Sequence, residues 1–288
     1  MQPLTRVRED LRFAKEIVNM IEILKATTSR QFRILQGKRS QFDAFKARLE
    51  EFIEAMGGQK TEHPFLTEVR HLTKAVVMIA SDEGFLGGLN AGVISAGMEQ
   101  AGVGDELIVL GERGARHLAE ATKGDFTVLP GLGDEVTYER AAAVRDLLIE
   151  KFLSKKVGVV LFAYPRFFSL AQQSPEVVKL LPCEDLFRPS EESRRRGIRR
   201  PAVFVEPDRS RAVDYLVRAH LMQKIYDMFW ESKLSECAAR IVHLEGSHQE
   251  IMHSHQASLY QYFRIFHEKS DRDIREVFAS RLIGREKL

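Results

Sequence analysis

The chain holds 288 residues, 44% hydrophobic and 29% charged, with a formal net charge of +2. That length suits one large domain or two modest ones, and a balance so near neutral excludes a general nucleic-acid binder. No run reaches the roughly 18–20 apolar residues of a membrane span, and the opening "MQPLTRVREDLRFAKEI" has no apolar signal core, so a soluble or peripheral protein outside standard export is expected.

From Leu4 to Met56 there is no proline and a single glycine, Gly37. Alternating steps of three and four visit Leu4, Val7, Leu11, Ala14, Val18, Ile21, Lys25, Thr28, Phe32, Leu35, Arg39, Phe42, Lys46, Leu49, Ile53 and Met56. All but Lys25, Thr28, Arg39 and Lys46 are apolar. This alternation is the seam of a coiled coil, with Gly57-Gly58 as its stop. Along the same helix Arg30, Arg33, Lys38, Arg39, Lys46 and Arg48 stand against one acid, Asp43. The stripe reads either as a basic collar for an acidic partner or as a solvated helix face.

Strand-like runs then appear at 75–79, 106–110, 126–129 and 157–162, with helical stretches between them at about 88–100, 113–121 and 138–153. Strands alternating with helices predict a small doubly wound, mostly parallel sheet. A last short strand is read at 203–205. Ahead of it "SEESRRRGIRRP", residues 190–201, carries five arginines and reads as an exposed loop, with a salt-dependent contact to an acidic partner as the alternative.

From Pro207 and Asp208 to Leu288 no further proline occurs. A second, more polar seam runs Trp230, Leu234, Cys237, Ile241, Leu244, His248, Ile251 and His255, then drifts to Tyr262 and Phe266. Helices of about 50 residues would be ~75 Å long, so each end of the chain is expected to cover the other's apolar stripe. The fold class expected is therefore α/β. A long antiparallel two-helix coiled coil from the two terminal segments joins a small doubly wound domain, with boundaries at 1–58, 70–206 and 207–288.

The stretch with most apparent chemistry is "SDEGFLGGLN", Ser81 to Asn90, directly after the first strand. Glycines there suggest a phosphate cradle, but no lysine lies between Gly84 and Ser95, and neither this loop nor Gly131-Leu132-Gly133 completes a dinucleotide fingerprint. Asp82 and Glu83 are adjacent, without a partner base, and no serine–histidine–aspartate set has a surrounding motif. Of the histidines His243, His248, His253, His255 and His267 on the C-terminal helix, no pair has the i, i+4 spacing of a helical metal site. Cys183 and Cys237 form no redox or metal motif, which suits a reducing compartment. No catalytic residue, cofactor or metal is expected, and the glycines are read as a tight turn or contact surface.

That loop resembles the S-D-x-G-L-C-G-G-L-N signature of the gamma subunit of F-type ATP synthases. Four more segments match in order: "ELIVLGERG", "VVLFAYPRFFSLAQQSPEVVKLLP" with Tyr164, Phe167 and Leu180-Leu181-Pro182, "VFVEPDRSRAVDYL", and "SECAARIVHLEGS" with Ser235, Glu236, Ala238, Ala239 and Arg240. The resemblance implies a non-catalytic central-stalk rotor coupling ion flow, H⁺ or Na⁺, to ATP synthesis or hydrolysis. Its implied partners are the alpha and beta subunits of the catalytic ring, the epsilon subunit and the c-subunit ring, with no nucleic acid and no small-molecule substrate. Its implied location is peripheral, at the cytoplasmic face of the bacterial plasma membrane. The alternative is a non-catalytic interaction protein with a gamma-like fold and a repurposed role.

The resemblance also implies site residues. Ring or stalk contacts fall on Arg30, Gln31, Arg33, Ser235, Glu236, Arg240, Arg264 and Glu276, and the foot or turn on Asp82, Gly84, Gly87, Gly88 and Asn90. The chain departs from the family pattern at several points. Leu86 stands for the usual cysteine, Glu22-Ile23-Leu24-Lys25-Ala26 replaces the A-M-K-M-V run, and the C-terminal R-Q-x-x-I-T-x-E-L segment is echoed only by Arg264 and Glu276. Residues 267–273 read as a local insertion, and the dithiol insertion of light-regulated forms is absent. These features mark a divergent branch, with an alternative ion-pumping ATPase as one placement.

Overall fold

The structure, a computed structural model, describes residues 4–38, 40–56, 63–67, 72–187 and 208–285, with the side chains of 40–42 and 279–285 left aside. The predicted helix stop at Gly57-Gly58, the arginine-rich 190–201, the strand at 203–205 and Pro207 lie outside the described residues. Two compact units emerge, Arg30–Arg240 and the pairing of Met1–Ser29 with Ile241–Leu288.

The N-terminal segment is helical as α1 (Leu4–Lys38) and α2 (Ser40–Met56), on either side of Arg39. The predicted seam is the buried one. Val7, Ile21, Thr28, Leu35, Leu49, Ile53 and Met56 are buried, and the other described seam positions are half-buried. Branched and long apolar side chains at this spacing form one stripe, which hides only if a second helix lies along it.

That second helix is the C-terminal one, Arg209–Arg285, called α6 because α3, α4 and α5 belong to the middle of the chain. Within the terminal unit, Lys25 Nζ meets Glu245 at 2.5 Å and Glu22 meets His248 at 3.5 Å. Three residues back on α1 correspond to three forward on α6, so the pair is antiparallel. Within the larger unit the order is the same: Lys46 pairs with Asp227 at 3.6 Å, and Arg209 donates to the Met56 carbonyl at 2.7 Å. The second seam holds as far as Tyr262. Phe266, predicted next, is exposed, and Ile265 is half-buried in its place. A 3.6-residue helix drifts off a 3.5-residue repeat, which accounts for the one-position slip.

The rest of the larger unit is a five-stranded sheet. Its strands are β1 (Lys74–Ile79), β2 (Glu106–Leu110), β3 (Phe126–Leu129), β4 (Val159–Phe167) and β5 (Gln173–Leu181), in spatial order β3-β2-β1-β4-β5. The first four are parallel, and β5 pairs antiparallel with β4. The intervening helices are α3 (Leu89–Gln100), α4 (Glu112–Ala121) and α5 (Tyr138–Leu153).

Side chains of a strand alternate between faces. Ala75, Val77 and Ile79 enter one core with α5 (Ala141, Val144, Leu148), with Leu49 and Ile53 of α2 and with Val217, Leu221 and Ile225 of α6. Val76, Met78 and Ala80 enter the other, with Val93 and Ile94 of α3 and Leu118 of α4. The central strands are thus covered on both faces, which is why β1 and β2 read as unbroken apolar runs.

Strand β5 was not foreseen, and β4 runs further than the predicted 157–162. Pro165 and Pro175 interrupt the apolar pattern, yet they sit opposite each other in the β4–β5 register. Proline is tolerated there because β1 pairs with β4 only as far as Ala163, leaving Pro165 beyond the doubly paired section.

Candidate functional site

The glycine loop leaves the sheet at the carboxyl end of β1, where Ala80 N–H still donates to the Leu110 carbonyl (3.0 Å). Its two ends are tied together. Asn90 Oδ1 accepts from the Ser81 N–H at 3.2 Å, Asn90 Nδ2 donates to Ser81 Oγ at 2.9 Å, and Ser81 Oγ donates to the Glu83 carbonyl at 2.8 Å. Ser81 and Asn90 are both buried, so these bonds satisfy polar groups that water does not reach.

Asp82 points away from the loop to α4, where Oδ1 accepts from the Glu112 N–H at 3.1 Å. A helix amino terminus attracts an anion; here the chain's own carboxylate takes that place. Gly88 is the residue before α3, and Gly87 has a left-handed backbone (φ 58°) that glycine adopts without penalty. Phe85 is left-handed too (φ 63°), at a cost of about 1–2 kcal/mol for a residue with a Cβ, and its ring is exposed. The loop is therefore a strained turn with an aromatic crest.

Helix α6 closes over this turn. The Arg240 guanidinium, only 7% exposed, reaches Glu83 at 2.8 Å and Glu236 at 2.7 Å, and its Nε donates to the Gly84 carbonyl at 3.3 Å. Glu236 also holds Lys233 at 3.0 Å, both nearly buried. Two cations thus face two carboxylates, one of them Glu83 at the solvent edge. One turn away, Ser235 Oγ donates to the Pro165 carbonyl at 2.9 Å, where β4 has outrun β1. Glu236, Arg240, Gly84 and Asn90 belong to one connected network through Glu83 and Ser81, and Ser235 anchors the same stretch of α6 to β4.

The other predicted contact residues lie apart from it. Arg30 and Arg33 are exposed and, among the described residues, have no hydrogen-bond or ion-pair partner, as is true of Lys38. Gln31 donates to the Asp134 carbonyl at 2.8 Å. Of the rest of the basic stripe, Arg39 lies outside the described residues, while Lys46 is engaged by Asp227 and Arg48 by Glu51 at 2.8 Å. In the terminal unit Arg264 pairs with Glu268 at 3.1 Å on the surface, and Glu276 is exposed. Sequence reasoning missed Ser81, Lys233 and the Glu83–Arg240 link. The i, i+4 spacing of Glu236 and Arg240 was a signal of an ion pair, but nothing local says that the loop's Glu83 joins it.

A second concavity of about 610 Å³ opens between β4, β5 and α6, lined by Tyr164, Arg166, Glu176, Lys179, His220 and Asp227 among others. Its rim is internally paired, with Arg166 and Tyr164 both on Glu176 (2.9 and 3.3 Å) and Lys179 3.7 Å from Glu184. Burial, reinforced by the nearby Lys224 and Lys46, pushes His220 down to about 4. Burial pushes the thiols up, Cys183 to about 12 and Cys237 to about 11, so neither is a nucleophile at neutral pH.

The sign of the His220 effect follows from linkage. Between pH 6.5 and 4 the unfolded chain binds a proton that the folded chain does not, so stability falls as pH drops through that window. His220→Gln is expected to remove about 1–2 kcal/mol of the stability lost between pH 7 and 5, measured by urea unfolding at both pH values. Asp227, raised by its burial, acts in the opposite sense, which the comparison with His220→Gln cancels.

A family model described as ATP synthase matches residues 4–265. An ATP synthase gamma chain of Pelotomaculum thermopropionicum is 26% identical over 254 residues, 86% of this chain and 87% of that one. One from Streptomyces avermitilis is 28% identical over 239 residues, 78% and 76% of the two chains. Among solved structures, a chain of the Euglena gracilis mitochondrial ATP synthase rotor superposes with a TM-score of 0.65 at 18% identity, covering 92% of this chain and 98% of that one. A chain of the Tetrahymena thermophila mitochondrial ATP synthase central stalk/c-ring gives 0.56 at 16% identity, covering 80% and 99%. The structural likenesses bear on the fold alone, but the family model spans nearly the whole helix–sheet–helix arrangement and the relatives share most of its length: the chain belongs to the ATP synthase gamma-chain family.

Proposed function

We propose that this chain is the central-stalk rotor of a rotary ATP synthase, a non-catalytic subunit that couples ion flow to ATP synthesis or hydrolysis on partner subunits. The observation that carries the reading is the antiparallel pairing of the chain's two ends, with α6 continuing beyond the cover that α1 provides. From Phe266 to Phe278 every side chain except Ser270 is exposed, including Ile274, Val277 and Phe278. A helix end that is exposed among the described residues and carries Phe266, Ile274 and Phe278 among charged side chains suits a surrounding ring of alpha and beta subunits. The uncovered Arg30, Arg33 and Lys38 suit acidic groups on that ring, since exposed pairs worth roughly 0–1 kcal/mol each make and break without locking rotation.

On this reading Arg30, Gln31, Arg33, Arg264 and Glu276 sit at or beside ring contacts. Ser235, Glu236 and Arg240 set the shape of the glycine turn, and Asp82, Gly84, Gly87, Gly88 and Asn90 build the turn whose strained Phe85 crest meets a partner. The epsilon subunit and the c-subunit ring are the remaining partners, at the cytoplasmic face of a bacterial plasma membrane. Peripheral attachment is consistent with the absence, among the described residues, of any helix long and apolar enough to cross a membrane.

Co-expression with alpha and beta subunits of the same organism, followed by size-exclusion chromatography and an ATPase assay, tests the proposal. One copy per ring and turnover reduced by cutting the chain back to Ala257 are the expected results. A chain that elutes alone would overturn the rotor reading and favour the repurposed interaction protein.

A further inference from the structure

A groove of about 510 Å³ lies on the larger unit, between α2, α5 and α6. Its floor is a stripe of α6, Tyr215, Arg218, Met222 and Tyr226, spaced by three or four residues and so aligned along one helix face. Its walls are Phe45 from α2 and Tyr138 from α5. Three of these aromatics are largely uncovered, Phe45 at 56%, Tyr138 at 61% and Tyr215 at 72% exposure. Isolated surface aromatics are ordinary; rings converging from three helices on one concave site are not.

Among the described residues, the charged side chains that line the groove are Arg145 and Arg218. Each guanidinium already holds one acid, Asp146 at 2.8 Å and Asp214 at 2.7 Å. Five N–H donors leave each able to take a second carboxylate. One turn before Tyr215 on the same stripe stands Arg211, exposed and, among the described residues, without a hydrogen-bond or ion-pair partner. The stripe from Tyr215 to Tyr226 is about 16 Å long, enough for two or three helical turns and for anchors at i, i+4 and i+7.

We propose that this groove is a docking site for an amphipathic helix of a partner protein, apolar on the face it inserts and acidic along its flanks. Its long axis lies along α6, its walls accept roughly three large apolar side chains, and Arg145, Arg211 and Arg218 meet the flanking acids. The site is separate from the exposed α6 end and the basic stripe invoked for ring contacts, so it stands or falls independently of the rotor reading.

The test uses the full chain and two synthetic helical peptides that share leucines at i, i+4 and i+7 and differ only in glutamate or lysine flanks. Fluorescence anisotropy is expected to show the glutamate peptide bound roughly tenfold tighter than the lysine peptide, with affinity falling as salt rises. The paired change Phe45→Ala and Tyr215→Ala, at exposed positions that leave the core intact, should weaken binding by roughly tenfold or more. Arg218→Glu should erase the preference for glutamate. Equal binding of the two peptides, no binding of either, or affinity unchanged by the paired variant would overturn the proposal. So would a concentration-dependent dimer lost in the paired variant, which would assign the groove to a second copy of this chain.

Discussion

Arg240→Ala is expected to lower the stability of the chain by about 3 kcal/mol or more in urea unfolding. The guanidinium bridges the nearly buried Glu236 and the loop's Glu83, and it donates to the Gly84 carbonyl. Removing one partner of a buried ionic cluster strands the other in low dielectric, typically at a cost of about 3–5 kcal/mol. Lys233, 3.0 Å from Glu236, keeps the loss toward the lower end. Because Ser81 and Asn90 still tie the loop's ends, the damage should concentrate at its crest, and proteolytic nicking between Asp82 and Gly88 should accelerate. Arg240→Ala combined with Glu236→Ala should cost less than the sum of the single changes, since the two residues act as one unit. An Arg240→Ala chain as stable as the parent would mean that the cluster contributes no net stability and that apolar packing alone seats α6 on the turn.

Gly111→Ala should be comparably damaging for a different reason. Gly111 precedes α4 with φ 96°, and its N–H donates to the Leu129 carbonyl at 3.1 Å. A Cβ there would lie 2.7 Å from the Ala80 carbonyl oxygen and 2.8 Å from the Ser81 carbonyl carbon and oxygen. Those atoms are backbone at the end of β1 and cannot rotate away. Strain and overlap together are expected to cost roughly 3 kcal/mol or more, seen as a large fall in Tm or loss of soluble protein. Gly246→Ala is the control: it lies inside α6 with nothing within 4 Å of the added atom, and should stabilise by roughly 1 kcal/mol. If both changes behave alike, the close approach at Gly111 carries no weight.

Both predictions bear on the join between the glycine turn and its neighbours, and that join was the part least legible in sequence. The helices were legible because a seam is a local periodicity: Val7, Ile21, Leu35, Leu49 and Ile53 announce a buried stripe whatever the partner. Strands β1 and β2 were legible because a strand buried on both faces is a continuous apolar run bounded by glycine or charge; the edge strand β3 is half-exposed and was legible from its short run Phe126–Leu129. Strand β5 was not, since an edge strand carrying Pro175 and polar residues has no such run.

Sequence alone therefore determined the class of fold, the two terminal seams, the α/β middle and the ordered motifs of the gamma-chain family. All of these are encoded in near-neighbour patterns of apolar and turn residues. Only the tertiary structure decided that Glu83 meets Arg240, that Asp82 occupies the amino terminus of α4, that Ser235 satisfies the Pro165 carbonyl, and that Phe45, Tyr138 and Tyr215 converge on one groove. Each of those contacts joins residues tens to more than a hundred positions apart. Their geometry depends on how helices and sheet pack in three dimensions, which no local periodicity records.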